Sequence, residues 1–257
     1  MKHTALKSSI ICLSATLLLL LGTVSMSAQY YQLKVRTDDG LITSFNVESI
    51  DSVYFEFEQR TMPVGEAVDL GLSVKWASIN VGASKPEDYG NYYAWGETET
   101  KTDDYKASTY KYYSDSYKLT KYCNKSSYGN NGITDTKTRL TLEDDVAHVA
   151  WGGNWRMPTL AECEELRDNC DWSWVTQNGV KGWKVTSWET SRSIFLPAAG
   201  YRFDTGLSRV GSYGYYWSSS LSTGYPDRAW NLIFSSDNHS TDYFQRFCGL
   251  SVRPVCK

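Results

Sequence analysis

The chain has 257 residues, with 26 Lys and Arg against 29 Asp and Glu, and aromatic residues make up 14% of it, including 10 Trp and 19 Tyr. It carries no block of basic residues, which makes nucleic acid a poor partner. It also has no stretch after its first residues that is long and apolar enough for a membrane-spanning helix. The opening, "MKHTALKSSIICLSATLLLLLGTVSMSAQ", sets Lys2 and Lys7 before an apolar run that reaches Leu21, and small residues follow to Ala28. That is the pattern of a secretory signal peptide over residues 1–28, cut near Ser27 or Ala28. The apolar run is too short for an anchor, and Cys12 inside it is preceded by "SII" rather than by a small residue. Loss of Lys2 and Lys7 leaves 24 basic against 29 acidic residues, a net charge of −5. The chain is therefore expected to be exported, to the periplasm, the cell surface or the extracellular space.

Residues 29–59 read as a small β unit. "QLKVRT" and "LITSFNV" flank the turn signal "DDG", and "SVYFEFE" follows as a further strand. So short a unit buries little core of its own. Residues 60–65 are the expected linker, and 66–257 form one domain long enough to bury a full core. In it, "AVDLGLSVKWASINVG" predicts a strand pair, and the polar, Tyr-rich segment through "YCNKSSYGNNG" reads as a long loop insertion.

Two helices are predicted next. "TLEDDVAHVAWGG" has Thr141 and Asp144 as a capping pair, with "EDD" at the positive helix start and Gly152-Gly153 as the stop. The acidic trio lacks the alternate spacing of a calcium loop. "PTLAECEELRDNC" repeats the capping box with Thr159 and Glu162. Leu160, Cys163, Leu166 and Cys170 form its apolar stripe, and Glu162, Glu164 and Glu165 a solvated face. β structure then returns: a hairpin around "QNG", the doubly covered run "SIFLPAAGYR", "YYWSSS", "AWNLIFSS", and "CGLSVRPVC". In the last of these, alternate residues from Cys248 to Cys256 are expected to share one face. The expected fold class is α+β, with two helices and a mainly antiparallel sheet after a small N-terminal β-hairpin unit.

The five cysteines after Cys12 are Cys123, Cys163, Cys170, Cys248 and Cys256, an odd number for an exported chain. No C-x-x-C occurs, and His148 and His239 are the only histidines after the signal, so no structural zinc site is expected. Seven residues apart on one helix, Cys163 and Cys170 would lie about 10 Å apart along its axis. Cys248 and Cys256 would lie about 26 Å apart along one strand. Neither pair is expected to bridge.

"DLGLSVKWASINVGASKPEDYGNYYAWGET", "WGGNWRMPTLAECEEL", "SIFLPAAGYR", "GYYWSSS" and "GLSVRPV" occur in order from Glu66 to Lys257. Together they resemble the Fibrobacter-type major paralogous domain of bacterial surface proteins. The resemblance implies a C-type lectin-like fold, in the branch that also holds formylglycine-generating enzymes. The wider group includes variable proteins of diversity-generating retroelements, in which a C-terminal stretch rich in Tyr, Ser, Asn and Asp forms the binding face. Relatives often carry Cys where this chain has Ile79, so a partner for Cys170 there is missing. The lectin-like habit of tying a helix to the last strand implies Cys163 or Cys170 bonded to Cys256.

On this reading Trp217, Trp230, Leu232, Phe234, Leu250 and Val252 are scaffold. "STGYPDR" and "SSDNHSTDYFQ" are loops that carry the ligand contacts: Tyr225, Asp227, Arg228, Asp237, Asn238, His239, Asp242 and Tyr243. Tyr and short polar residues are common both in binding surfaces and in turns. The expected partner is a glycan, a peptide or a surface protein, with no cofactor and no metal. The nearest echo of a calcium-dependent sugar site, Trp230-Asn231, lacks the Asp that should follow. The alternatives are a structural cell-surface component without a small ligand and a formylglycine-type oxidase. The second needs an accessible activated cysteine pair. Should the C-terminal loops fail as the site, the Tyr-rich insertion between Tyr105 and Tyr128 is the next candidate.

Overall fold

A computed structural model describes residues 32–36, 42–46, 62–102 and 104–257. The chain divides into two units, Met1–Glu58 and Gln59–Lys257. The expected signal peptide, the strand "SVYFEFE" and the first residues of the expected linker lie outside the described residues. Among those residues no helix is long and apolar enough to cross a membrane.

In the first unit, β1 (Gln32–Arg36) pairs antiparallel with β2 (Ile42–Asn46), as the "DDG" signal predicts. The second unit is α+β. Its strands are β3 (Ala67–Val68), β4 (Lys75–Ala77), β5 (Cys170–Gln177), β6 (Val180–Ser187), β7 (Ser193–Pro197), β8 (Tyr201–Phe203) and β9 (Gly206–Ser208). They are followed by β10 (Gly214–Leu221), β11 (Arg228–Phe234), β12 (His239–Gln245) and β13 (Val255–Cys256). Every strand pairing is antiparallel, in the orders β13-β4-β3, β5-β6-β7, β8-β9 and β10-β11-β12. The chain's last strand thus closes onto one of the first strands of its own domain. The "QNG" hairpin forms as expected: Asn178 and Gly179 take φ of 48° and 86°, the left-handed pair that a tight two-residue hairpin turn requires.

Two helices, α1 (Val146–Trp151) and α2 (Leu160–Asp168), lie between β4 and β5. The capping box of α2 is present as expected, Thr159 accepting from the Glu162 N–H and Glu162 accepting from the Thr159 N–H. The start of α1 differs. Leu142–Asp144 form a separate 3-10 turn, and Asp145, not Thr141, caps α1 by accepting from the N–H groups of Ala147 and His148. Asp145 also accepts from the Met157 N–H, so one carboxylate ties the helix start to the chain that leaves it. Helix α2 stops before Cys170, which opens β5, so the helical spacing assumed for Cys163 and Cys170 does not apply. Its glutamates are also more engaged than a solvated face: Glu162 holds Arg156 through two bonds, and Glu165 accepts from Ser73.

The β10–β12 sheet separates two apolar clusters. Tyr215, Trp217, Leu221 and Ala229 enter one, and Tyr216, Leu232 and Phe234 enter the other. A strand covered on both faces reads as a continuous apolar run, which is why "YYW" carries no alternation. The Tyr-rich insertion is not a loose loop. Tyr105, Tyr110, Tyr112 and Tyr122 are buried in the first cluster, and the last three surround Arg246, which is itself fully buried. The guanidinium donates to the Tyr110 hydroxyl and to the carbonyls of Lys121, Tyr122 and Pro226. A second buried arginine, Arg253, donates to Asn80 Oδ1 and to the carbonyls of Ala77 and Phe195. "CGLSVRPVC" is not a single strand. Leu250 and Ser251 make bridges to Tyr93 and Tyr216, only Val255–Cys256 forms a strand, and all residues from Cys248 to Cys256 are buried. Burial on every side removes the one-face pattern, and the bends remove the straight-strand distance assumed for Cys248 and Cys256.

Candidate functional site

The expected contact residues gather around β11 and β12, but they do not form one loop surface. "STGYP" does form the turn that leads into β11. "HSTDYFQ", expected as loop, is instead the edge strand β12, and only residues 235–238 form the turn between the two strands. A strand sends successive side chains to opposite faces, so β12 separates residues that a loop would have kept together.

The register fixes how. Arg228, Trp230, Leu232 and Phe234 stand opposite Gln245, Tyr243, Thr241 and His239, and these eight share one face. Asp242, paired with Asn231, is on the other face. On the shared face the α2 side chain Arg167 donates to Thr241 Oγ1, so a helix residue stands between His239 and Tyr243.

At one end Tyr243, Tyr225, Trp230 and Arg228 come together. The Tyr225 and Tyr243 ring centroids are 5.4 Å apart, and Trp230 meets Tyr243 edge-on at 5.4 Å. The Arg228 guanidinium lies 5.4 Å from the Tyr225 ring centre and 5.3 Å from that of Tyr243. Tyr225 is 48% exposed. Trp230 is half-buried rather than core, which corrects its expected scaffold role. At Trp230 the strand has run past the second cluster, which covers Leu232 and Phe234. The other expected scaffold residues, Trp217, Leu232, Phe234, Leu250 and Val252, are buried. Beside the aromatic rings, Arg228 Nε is shielded from solvent and pairs with no protein group among the described residues, and the same holds for Oδ1 of the preceding residue, Asp227. Buried polar atoms are nearly always paired, and Arg228 Nε is one of several exceptions in the domain, the one that lies against this aromatic group.

The remaining expected residues lie elsewhere. His239 is stacked on Trp172 with centroids 4.4 Å apart and meets Trp183 edge-on at 5.4 Å. Burial and the nearby Arg167 charge lower its pKa, which favours the neutral ring. Asp237 and Asn238 are exposed at the β11–β12 turn.

Two backbone groups on the free edge of β12 are capped by its own side chains. Bonds from Ser235 N–H to Asn238 O and from Arg246 N–H to Asp227 O place the even-numbered residues in the paired set. The odd-numbered backbone groups therefore face outward. Of these, the Tyr243 N–H donates to Asp242 Oδ1, and the Thr241 carbonyl accepts from the Ser240 hydroxyl.

Away from β12, all five described cysteines are buried. Burial pushes the thiols of Cys170 and Cys248 up to about 11 and about 12, and it raises those of Cys163 and Cys256 as well. A nucleophilic or redox-active cysteine needs the opposite shift. His148 Nδ1 lies 3.3 Å from the Trp155 carbonyl. Among the described residues no three His, Cys, Asp or Glu side chains gather as a metal site would require. The acidic trio is structural: Asp144 meets Lys111, Lys121 and Tyr122, and Asp145 caps α1.

Trp230, expected in the buried scaffold, stands half-buried in the aromatic group instead. Its signal was present, since it lies two residues after Arg228 and so on the same strand face. Comparison with family models, with curated proteins and with solved structures finds no match to this chain.

Proposed function

We propose that this is an exported, non-catalytic binding protein whose contact face is the cluster of Tyr225, Arg228, Trp230 and Tyr243. The observation that carries the proposal is the Arg228 guanidinium lying against two tyrosine rings, with its Nε and the neighbouring Asp227 Oδ1 both without protein partners. Clustered Tyr and Trp rings offer wide contact area with few rotamers to freeze, and the rigid sheet beneath lowers the ordering cost further. A glycan, a peptide or a surface protein would use such a face. Its placement beside the C-terminal strands agrees with the resemblance to the major paralogous domain and with the lectin-like fold that the resemblance implies. The buried thiols, raised by their surroundings, weigh against the oxidase alternative.

The test is a screen of the purified protein against glycan, peptide and surface-protein libraries, repeated with Tyr225→Ala and Arg228→Ala. Loss of a library hit in both variants, with unchanged melting, is the expected result. Retention of every hit by both variants overturns the site, and no hit in any library favours a structural component without a small ligand.

A further inference from the structure

A groove of about 230 Å³ opens where three separate segments meet, and it uses none of the Tyr225 cluster. The β5–β6 hairpin brings Trp174 and Lys181, the turn before β10 brings Ser212 and Tyr213, and the β11–β12 turn brings Ser236 and Asp237. Its size is below the roughly 300 Å³ at which drug-sized sites begin. It has room for one six-membered ring with its substituents.

Both aromatic walls are held in place. Trp174 meets Trp183 edge-on at 5.7 Å and Phe234 at 6.4 Å. Tyr213 is stacked with Tyr215 at 6.1 Å, and the Arg209 guanidinium lies 4.5 Å from its centre. Between these walls the polar groups are balanced. Lys181 donates, Asp237 accepts, and their charges cancel. The Ser212 and Ser236 hydroxyls do both, and Ser236 already donates to Asp237 Oδ1 at 3.0 Å, which aligns the carboxylate.

The lining is more polar than apolar, with Trp174 and Tyr213 at its sides, and its mixed donors and acceptors suit the hydroxyl groups of a ring. An anionic ring would meet Asp237, and a cationic ring would meet Lys181. We infer that this groove is a binding subsite for a single neutral sugar ring. The subsite stands whether or not the Tyr225 cluster binds anything.

Saturation-transfer NMR and titration with the methyl glycosides of glucose, galactose, mannose and N-acetylglucosamine test it, at up to about 50 mM because one small ring in an open groove binds weakly. At least one glycoside should bind. Asp237→Ala and Lys181→Ala should each weaken that binding by about tenfold or more, the loss expected for a hydrogen bond to a charged group. Both side chains are exposed, and melting curves confirm that the variants fold. Tyr225→Ala should bind the glycoside as well as the unaltered protein does. The inference is overturned if none of the four binds, if both groove variants bind normally, or if glucuronate or glucosamine binds more tightly than its neutral counterpart.

Discussion

The guanidinium carbon of Arg246 lies 4.7 Å from the ring centroid of Trp95, and both residues are completely buried. Tyr110, Tyr112 and Tyr122 complete the enclosure at 5.3, 5.6 and 5.9 Å. The charge is spread over ring faces and backbone carbonyls, and the Tyr-rich insertion is ordered around it. Removing the side chain leaves the carbonyls of Tyr122 and Pro226 and the Tyr110 hydroxyl buried without this partner, which costs about 1–3 kcal/mol for each group. Arg246→Ala should therefore destabilise the domain by at least about 3 kcal/mol in urea unfolding. Arg246→Lys should restore only part of the loss, because an ammonium lacks the planar fork. A loss below about 1 kcal/mol for Arg246→Ala would show that the insertion packs without it.

At the proposed contact face, the exposed Tyr225 and its neighbour Arg228 should separate binding from folding. Tyr225→Ala should change stability by no more than about 0.5 kcal/mol and weaken a screened partner by about tenfold or more. Trp230→Ala should affect both, because its ring is half-buried against Tyr243. Parallel melting and affinity measurements on the two variants check this. Equal stability losses in both would place Tyr225 in the packing instead.

Asp144 gives the fold an acid-sensitive joint. Burial opposes its ionisation, but hydrogen bonds from Lys121, Tyr122 and Lys111 outweigh that and hold its carboxyl well below the ordinary 3.8. A carboxylate with a depressed folded-state pKa stabilises the native state above its unfolded pKa, and the contribution fades as pH falls below that value. Unfolding free energy should therefore drop between about pH 5 and pH 2. Asp144→Asn should start lower at neutral pH and lose less over the same range. Parallel curves for the two proteins would contradict this assignment.

The cysteines can be examined by peptide mapping under non-reducing conditions. The tie of Cys163 or Cys170 to Cys256, implied by the family resemblance, predicts one linked peptide pair, and five free thiols would discard it. Any residue that remains a thiol should resist alkylation at about pH 8 until the protein is unfolded, because a buried thiol is neither exposed nor ionised. Fast labelling of the native protein would show that these side chains are less enclosed than described here.

Much of the architecture was legible in residue order. The Thr159–Glu162 capping box, the "QNG" hairpin and the doubly covered β7 each follow from local rules that the tertiary structure did not override. Three of the failures share a cause. "HSTDYFQ" is polar enough to read as loop, yet it forms a strand because β11 offers it a full ladder. The tyrosines of the insertion read as surface because nothing local announces that Arg246, more than 120 residues later, will gather them. Trp230 read as core because an apolar run does not reveal where the covering cluster ends. These three misreadings concern partners outside the segment itself, about which period and composition carry no information, whereas the cap of α1 was misplaced locally, from Asp145 to Thr141.

The side-chain caps on β12 bear on how this protein behaves at high concentration. An uncovered strand edge is a template on which other chains can add, and proteins commonly blunt such edges with charge. Here Asp242 occupies the Tyr243 N–H and places a negative charge at the rim, while Ser240 occupies the Thr241 carbonyl. A foreign strand approaching this edge must first displace both caps and then bury the carboxylate. Asp242→Val would remove one cap and the charge together and raise local β propensity. Light scattering of the concentrated variant should then show growing assemblies under conditions in which the unaltered protein stays dispersed. The edge that carries Tyr243 would in this way also keep neighbouring copies from sealing it against one another.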